Sequence, residues 1–361
     1  MEFGPSAEQR ALADAVDDLV TRRARGTDPR AVLDTPRGYD ETLWRTLCDQ
    51  IGAAGLAIGE EHGGAGYSPA ETHVVLERLG ARLVPSPLLG SAVLAAGAIA
   101  ASGDDDACAR LLPGLAAGTT VGALAWADTR GRWRGDGSDV RADRDGPGWT
   151  LRGTATLVLD GADADVAVVV ADTGDGAGLF EAHGPIARQR TPALDPTLRF
   201  ATWRFDGTPA TALTLDAGPV LAALADRAAV AVTALQVGAA GECLRRTVEH
   251  LRTRVQFGRP LGSFQALKHR VADLFVAVES ARSMSWAAAG ADAAELPYRA
   301  ALAKAWCSDA YEQVAAETVQ LHGGIAITWE HDAHLYFKRA HATAQLFGTS
   351  REHRRRLLSY V

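Results

Sequence analysis

Three side chains in the last part of the chain have types that bind metal ions. His331, Asp332 and His334 lie within four consecutive positions, and imidazoles three residues apart can share one face of a helix. A metal site needs at least one further ligand, and the sequence contains no other close pair of histidines. We therefore interpret this stretch as the polar start of a helix, with Asp332 near the positive end of its dipole, and assign no metal site.

Other local motifs exclude further kinds of chemistry. Cys48, Cys108, Cys243 and Cys307 lie too far apart for any CxxC pair, so a sequence-local zinc or redox motif is absent and free thiols are expected. The glycine-rich bend Gly63–Gly66 is not a phosphate loop, because no GK[ST] follows it and no strand-to-helix unit surrounds it.

Composition and charge narrow the function classes. The 37 Lys and Arg against 44 Asp and Glu give a net charge of −7, so no basic field favours binding to nucleic acid or to an anionic membrane. The N-terminal stretch carries acids where a signal peptide needs an apolar core, and no uninterrupted apolar run reaches the roughly 18 residues of a membrane span. We expect a cytoplasmic protein that binds neither nucleic acid nor membrane.

The hydrophobic period changes twice along the chain and predicts three domains. Residues 1–119 have the period of an α-helix, residues 120–214 that of β-strands, and residues 215–361 that of long helices again. The middle block, with its Gly, Asp and Pro clusters between short apolar runs, predicts a small antiparallel β-domain. The final block predicts a four-helix bundle.

Individual elements follow from caps and periodicity. The predicted N-terminal helices are one capped by Ser6 with Gln9, then Glu41–Ile51 and Pro69–Leu79. The predicted strands are Val121–Trp126, Trp149–Leu159, Val166–Ala171 and Leu198–Phe205. The predicted C-terminal helices run from Asp216 to about Arg254, over Leu261–Ala289, over Pro297–Leu321, and from near Trp329 to before Gly348.

Spaced motifs in the last third resemble those of the acyl-CoA dehydrogenases. The segment RVQFGRPLGSFQ, from Arg254 to Gln265, resembles that family's R-x-x-F-G-x-P…Q signature. Gln320–Gly324, QLHGG, is similar to its Q-x-x-G-G, and the FGT beginning at Phe347 stands where the family has E-G-T. Upstream, Glu60–Gly66 is similar to P-E-x-x-G-G-x-G, so the resemblance extends over essentially the whole chain.

The resemblance implies an α+β fold and a flavin cofactor. It implies an N-terminal helical domain, a central antiparallel β-domain and a C-terminal four-helix bundle, with FAD at a subunit interface and oxidation of the α,β carbons of an acyl-CoA thioester. In this family one subunit's β-domain holds the isoalloxazine, and the neighbour's bundle clasps the pyrophosphate and adenosine. By resemblance, the cofactor-binding residues are Arg254 for the pyrophosphate, Phe257 and Phe264 as apolar walls, Gln265, Gln320, Gly323, Gly324 and Thr349.

The same comparison shows where the chain departs from the family. The usual position of the catalytic glutamate, which removes the α-proton, is occupied by Phe347, and a phenyl ring accepts no proton. The other known position of that base falls on Ala228, and Asp226 two residues upstream is the remaining candidate. We therefore expect no catalytic residue of the usual kind in this chain.

The predicted β-domain departs as well. Trp126–Trp133 stands in place of the family's T-E-P-x-A-G-S-D turn, and Leu157–Gly161 in place of W-I-T-N-G. The positions of the flavin-stacking Trp and the hydrogen-bonding Thr are therefore Leu157 and Leu159.

This one-sided loss predicts a heteromer. A second acyl-CoA dehydrogenase subunit would keep the base and the flavin pocket while this chain keeps its bundle half, as in a heterotetramer derived from a symmetric ancestor. The pattern resembles actinobacterial acyl-CoA dehydrogenases that act on sterol side-chain CoA esters. The alternatives are a self-sufficient homo-oligomeric flavoenzyme that uses Asp226 or carries out other flavin chemistry, and a structural or binding protein without flavin.

Overall fold

The computed structural model describes residues 4–24, 29–133 and 138–360. The chain passes through helices, a β-sheet and a second set of helices. The first helices are α1 Ala7–Ala24, α2 Pro29–Leu33, α3 Glu41–Ile51, α4 Pro69–Ala81, a π-helical segment Leu88–Ala95, α5 Ala96–Ala101 and α6 Asp105–Ala116. The strands are β1 Gly122–Ala125, β2 Val140–Asp145, β3 Gly148–Leu159, β4 Val166–Asp172, β5 Ala177–Ala182, β6 Ala187–Thr191 and β7 Phe200–Thr214.

The remaining elements belong to the C-terminal helical region. They are α7 Gly218–Thr253, the short strands β8 Val255–Gln256 and β9 Arg259–Pro260, α8 Gln265–Ala289, α9 Leu296–His322, α10 Ala333–Gln345 and α11 Ser350–Leu357. The four predicted helices correspond to α7–α10, and α11 is an additional short helix. The predicted order of helical domain, sheet and helical domain is therefore confirmed.

Side-chain caps fix the N-terminal helices where the sequence predicts them. At the start of α1 the Ser6 hydroxyl accepts a hydrogen bond from the Gln9 amide (3.2 Å), and the Gln9 side chain accepts one from the Ser6 amide (2.9 Å). At the start of α3 the Asp40 carboxylate accepts from the amides of Thr42 and Leu43, both at 3.0 Å. Helix α3 ends at Gly52, whose φ of 70° is the left-handed conformation that glycine adopts readily.

The sheet is mixed, whereas the sequence predicts an antiparallel one. Its strand order is β1-β4-β2-β3-β7-β5, with β6 on β7, and β1 pairs with β4 in parallel while β3 and β7 pair antiparallel. Strands β2 and β3 lie between β1 and β4 in the chain, and they provide the long connection that parallel neighbours require. The sheet core includes the buried Trp203, whose indole donates to the Gly161 carbonyl at 2.7 Å.

Residue contacts group the chain into two compact units. The bundle unit contains residues 4–11, His73–Val84 and 229–360, and the sheet unit contains the described residues of Leu12–Thr72 and of Pro85–Ala228. The division into domains at 119 and 214 stays a prediction. In the described part of the chain α7 is long and apolar enough to cross a membrane, but 78% of its most apolar window is buried, as in the core helix of a folded domain.

Two glycines allow the backbones of α4 and α7 to touch within the bundle unit. A Cβ atom on Gly238 would lie 1.9 Å from the carbonyl oxygen of Glu77, and one on Gly80 would lie 2.5 Å from that of Leu235. Because main chain faces main chain at both positions, no side chain can move aside to make room. The crossing therefore requires glycine on both helices.

We predict that Gly238→Ala lowers the free energy of unfolding by roughly 1–3 kcal/mol, because the added methyl group forces the two helices apart. Gly241→Ala, one turn further along α7, is the matched control, since its nearest neighbour is the flexible guanidinium of Arg282 at 3.0 Å. That control should leave stability unchanged or raise it slightly through helix propensity. Urea denaturation of the purified proteins measures both, and equal effects of the two substitutions would contradict the close crossing.

Candidate functional site

Helix α7 runs directly into a tight hairpin that carries the first predicted motif. Strand β8 pairs with β9 in register, Val255 with Pro260 and Gln256 with Arg259, and the turn consists of Phe257 and Gly258 with φ values of 53° and 77°. Two consecutive left-handed residues are typical of the tight hairpin turn whose twist matches its strands. The turn holds the Phe257 side chain at the tip, where it is 89% exposed.

The hairpin and the start of α8 bring the predicted aromatic and polar residues together. The rings of Phe257 and Phe264 lie 6.2 Å apart in an edge-to-face arrangement, and the Arg259 guanidinium lies 4.0 Å from the centre of the Phe264 ring. Gln265 is the first residue of α8 and shares a hydrogen bond of 2.8 Å with His269. Arg254 is exposed, and its carbonyl accepts the Leu261 amide at 2.8 Å.

The second motif lies at the end of α9. Gln320 is exposed on the last turn, and Gly323 follows the helix with a φ of 71°, which strains any other residue. A Cβ atom on Gly323 or Gly324 would meet no atom within 4 Å, so both glycines present open backbone. The imidazoles of His250 and His322 stack at 4.4 Å and join this turn to the end of α7 one helical turn before Arg254.

The third motif forms a tight turn that is held from within the bundle unit. Phe347 and Gly348 have φ values of 55° and 102°, and Phe347 is 6% exposed. The buried Lys304 ammonium donates to the carbonyls of Ala344 (3.1 Å) and Gly348 (3.0 Å) and to the Ser308 hydroxyl (3.0 Å). Burial lowers the pKa of Lys304 to about 8, because none of these three acceptors carries a charge.

Thr349 lies in the cap of α11. Its hydroxyl accepts from the Glu352 amide at 3.3 Å, and its own amide donates to the Glu352 carboxylate at 2.8 Å, a reciprocal capping box. The hydroxyl also donates to that carboxylate at 2.9 Å. The cap therefore uses the hydroxyl both as donor and as acceptor. The structure thus brings seven of the eight predicted cofactor-binding residues to the α7, α8 and α9 ends and places Thr349 in a cap; cofactor binding by all eight stays a prediction.

The two possible base positions on α7 belong to the sheet unit. Asp226 is 3% exposed and Ala228 is fully buried. A base role for Asp226 stays a prediction.

In the sheet unit, the turn of residues 128–132 forms hydrogen bonds with its own backbone amides. The Asp128 carboxylate accepts from the amides of Arg130 and Arg132, both at 2.9 Å, and the Asp128 carbonyl accepts the Gly131 amide at 2.9 Å. The Thr129 amide donates to Asp139 at 2.7 Å. Every amide from Thr129 to Arg132 is therefore engaged within the protein.

The charge of Asp128 is held by the same turn. Burial disfavours the charged carboxylate, but the hydrogen bonds from Arg132 and Arg130 outweigh it and hold the pKa of Asp128 below its usual value. The guanidinium of Arg132 adds an ion pair at 2.7 Å. The charge of Asp128 is thus balanced within the turn itself, a feature that the sequence did not reveal.

The neighbouring strand end is apolar. The register of β3 against β7 shifts between Ala155 and Val158, and within this irregularity Leu157 has a φ of 50°. The Leu157 side chain lies 3.1 Å from the point where a Cβ on Gly131 would stand. Leu157 therefore packs on the closed turn, and Leu159, 4% exposed, belongs to the core.

Asp160, directly after β3, is an ionisable group that sequence reasoning did not single out. Its carboxyl group faces a small cavity lined by Tyr39, Leu89 and Arg199, and a Cβ on Gly90 would stand 2.5 Å from the Asp160 Oδ2. The residue as a whole is half-buried, but enclosure of the carboxyl group raises the pKa of Asp160 to about 7. The Arg199 guanidinium, which lines the same cavity, donates to the Pro36 carbonyl at 2.8 Å.

His331, Asp332 and His334, the three side chains of types that bind metal ions, each contact a different residue. Asp332 pairs with Arg246 at 2.9 Å, His331 lies 4.8 Å from His322 ring to ring, and His334 lies edge-on to Trp329. Within residues 4–24, 29–133 and 138–360, no group of three or more His, Cys, Asp or Glu side chains has the arrangement of a metal site.

The fold and the spaced motifs together define a class of protein. Residues 6–119 match the family described as acyl-CoA dehydrogenase, N-terminal domain, and residues 220–359 match acyl-CoA dehydrogenase, C-terminal domain. The chain belongs to the acyl-CoA dehydrogenase family, whose members are flavoprotein oxidoreductases.

Individual proteins and solved structures resemble the chain over nearly its whole length. The chain is 43% identical over 357 residues to the acyl-CoA dehydrogenase IpdE2 of Mycobacterium tuberculosis, covering 99% of this chain and 98% of that one. It resembles the solved ChsE4-ChsE5 complex from Mycobacterium tuberculosis, with 30% identity, a TM-score of 0.89 and coverage of 99% and 98%. It also resembles the Tcur3481-Tcur3483 steroid ACAD G363A variant, with 32% identity, a TM-score of 0.88 and coverage of 98% and 97%.

We predict that Asp160→Asn stabilises the protein in a pH-dependent way. The folded state raises the pKa of this carboxyl from 3.8 to about 7, so the stability that the protonated form contributes is complete below pH 3.8 and is lost as the pH rises through 7. The variant should match the native chain near pH 4 and be more stable by roughly 1–3 kcal/mol at pH 8.

Denaturant unfolding across this pH range measures the difference. Asp163→Asn is the matched control, because the Asp163 side chain is 48% exposed and lies 3.9 Å from Arg199. An Asp160→Asn advantage that is the same at pH 4 and pH 8 would show that Asp160 is not buried in its charged form.

Proposed function

We propose that this chain is the flavin-clasping, base-lacking subunit of a heteromeric acyl-CoA dehydrogenase. The chain offers its bundle end, with Arg254, Gln320 and Gly323-Gly324, to an FAD whose isoalloxazine is held by a second subunit. One observation carries this proposal: the bundle end presents an exposed cation and open backbone, whereas the corresponding turn of the sheet unit has used all its amide donors.

The bundle end fits the diphosphate and adenosine half of FAD. Arg254 is exposed, and among the residues that the structure describes no carboxylate pairs with it. A guanidinium in this state can form the charge-assisted hydrogen bonds that a diphosphate needs. The open backbone at Gly323 and Gly324 permits the close approach that a side chain would block.

The sheet unit of this chain does not fit the isoalloxazine half. A flavin ring needs hydrogen-bond donors along its polar edge, and the amides of residues 129–132 already donate to Asp128 and Asp139. Leu157 and Leu159 supply neither an aromatic face nor a hydroxyl. A second subunit must therefore supply the isoalloxazine pocket.

The steps of acyl-CoA oxidation are likewise divided between the two chains. When bound, FAD supplies the acceptor for the hydride that leaves the acyl β-carbon. The α-proton needs a positioned base, and Phe347, buried in its tight turn, offers no proton acceptor. In this chain Arg254 neutralises the diphosphate, Phe257 and Phe264 shield it from water, and the base comes from the partner.

The surface of the bundle unit supports a partner of the same family. Large apolar side chains are exposed along α8 and after α9, namely Phe275, Val276, Ile327 and Trp329 at 55%, 62%, 74% and 63%. Such a concentration of apolar surface is typical of a subunit interface. Both similar solved assemblies are named as pairs of unlike chains, and one is described as a steroid enzyme. We extend both features to this chain: a heterotetramer that acts on the CoA ester of a sterol side chain or another bulky acyl group.

The alternative is a self-sufficient flavoenzyme in which Asp226 acts as the base. The position of this buried carboxylate on α7, two residues before Ala228, favours that alternative. The two functions predict different effects of Asp226→Asn on flavin reduction.

We predict that the chain expressed alone retains little or no FAD and is poorly soluble, because its own sheet unit cannot hold the isoalloxazine and its apolar surface stays uncovered. Co-expression with the second acyl-CoA dehydrogenase subunit should yield a yellow complex. Absorbance at the flavin band per mole of protein measures both. A soluble yellow protein from the single chain, with FAD on every chain, would rule out the heteromer.

We predict that Arg254→Ala in the complex weakens FAD binding by roughly 30-fold or more, through loss of charge-assisted contacts to the diphosphate. Arg252→Ala is the matched control, because Arg252 is an exposed arginine two residues earlier, on the last turn of α7. Flavin release into ultrafiltrates gives the dissociation constants.

Asp226→Asn separates the two functions. In the complex it should leave flavin reduction by acyl-CoA unchanged at equal flavin content. If it abolishes flavin reduction while flavin content stays the same, Asp226 is the base and this chain is the catalytic subunit.

A further inference from the structure

Three imidazole rings lie in a row beside Arg254, and we call them the histidine stack. His250 lies on the last turn of α7, His322 ends α9, and His331 lies just before α10. The ring centres of His250 and His322 are 4.4 Å apart, and those of His322 and His331 are 4.8 Å apart. The stack therefore connects three separate elements at the end of the bundle unit that carries Arg254, Gly323 and Gly324.

Hydrogen bonds show which ring nitrogen carries the proton when His322 and His331 are neutral. The Thr318 carbonyl can only accept, so the His322 Nδ1 at 2.8 Å carries the proton and donates it. The His331 Nδ1 accepts the Ala333 amide at 3.1 Å, so it carries no proton, and that ring's proton is on Nε2. The Nε2 of neutral His322 thus remains available to take up a proton.

The surroundings of His250 and His322 disfavour the protonated forms of these two rings. Arg254, directly after α7, acts on His250, and Arg246 on α7 acts on His322. The Asp332 carboxylate at the start of α10 pairs with Arg246 at 2.9 Å. Arg246 also pairs with Glu242 at 2.8 Å, which occupies the other nearby carboxylate. Burial and then the neighbouring positive groups lower the pKa of His250, while burial, only partly offset by the bond to Thr318, lowers that of His322.

An anion at Arg254 would reverse this balance. A diphosphate brings negative charge next to His250, one helical turn from Arg254, and opposite charge favours the protonated imidazole. The proton comes from solvent and binds to a free ring nitrogen, so no covalent bond changes. By linkage, a ligand that raises the pKa of a group binds more tightly at lower pH.

We propose that the histidine stack of His250, His322 and His331 is a proton-coupled part of the diphosphate site, so that FAD binding takes up protons and strengthens as the pH falls. This inference rests on the proposed function, because it assumes that Arg254 clasps the FAD diphosphate. It assigns to these three histidines the regulation of cofactor retention. The stack is a positioning and charge-balancing element, and it takes no part in proton abstraction from the acyl-CoA.

The test is a titration of the flavin-free complex with FAD between about pH 5 and about pH 8, the range in which histidines titrate. Uptake of about one proton per FAD would weaken binding by roughly tenfold for each unit of pH increase within that range. Calorimetry in two buffers of different ionisation enthalpy counts the protons directly. A dissociation constant that is independent of pH, with no proton uptake, would overturn the proposal.

Variants locate the protons. His250→Gln and His322→Gln should each flatten the pH dependence of FAD affinity, whereas His341→Gln, which removes an imidazole paired with Glu312 at 2.8 Å outside the stack, should preserve it. If the buried His322 variant does not fold, the half-exposed His331→Gln replaces it. Retention of the full pH dependence in the stack variants would overturn the proposal.

Arg254→Ala separates this inference from the proposed function. FAD affinity that depends on Arg254 but not on pH would overturn the role of the histidine stack and leave the proposed function standing. FAD affinity that does not depend on Arg254 at any pH would overturn the proposed function, and the histidine inference would fall with it.

Discussion

A backbone amide donates one good hydrogen bond, and the proposed division of the flavin site between two chains depends on this limit. In the sheet unit the amides of residues 129–132 donate to Asp128 and Asp139, and Arg132 closes the turn with an ion pair to Asp128. Releasing these donors for a ligand would leave a buried carboxylate without its partners, which is costly. The turn therefore satisfies its own amide donors, which is the basis of the proposal that a second chain holds the isoalloxazine.

The bundle unit shows the opposite arrangement. Its interior is tightly fixed: α4 and α7 touch backbone to backbone at Gly80 and Gly238, and Lys304 ties the Phe347-Gly348 turn to α9 and α10. Its end, in contrast, presents Arg254 and the two glycines Gly323 and Gly324 to solvent. A rigid support with an unengaged cation and open backbone is what the clasping half of a dinucleotide site requires.

The sequence predicts those elements whose pattern is local. Helices α1 and α3 carry their caps and apolar stripes within a few residues, and strands β3 and β4 are long and apolar. The sequence does not predict β2 and β6, because charged residues interrupt their apolar pattern, as in VRADRD and ARQRT. It does not predict β5, because the Gly174–Gly178 cluster that indicates a turn overlaps the start of this strand. It does not predict α11, because SREHRRRL has almost no apolar period.

The sequence predicts only part of the candidate site as well. Motif spacing predicts Arg254, Gln320 and the two glycines, because each motif is contiguous in sequence. The role of Asp128, the enclosure of Asp160 and the histidine stack depend on contacts between residues that are distant in sequence or on the details of a turn. Hydrophobic periodicity contains no information about such contacts, so they required the structure.

The central claim is that this chain supplies one half of a flavin site and lacks the other. The most direct measurement is the FAD content of the purified complex with its partner, determined from flavin absorbance after denaturation together with the molar ratio of the two chains. The account predicts one FAD for each pair of unlike chains, since every complete site takes its isoalloxazine pocket from the partner and its diphosphate clasp from this chain. One FAD on every chain would contradict it, because the sheet unit described here would then hold a flavin of its own.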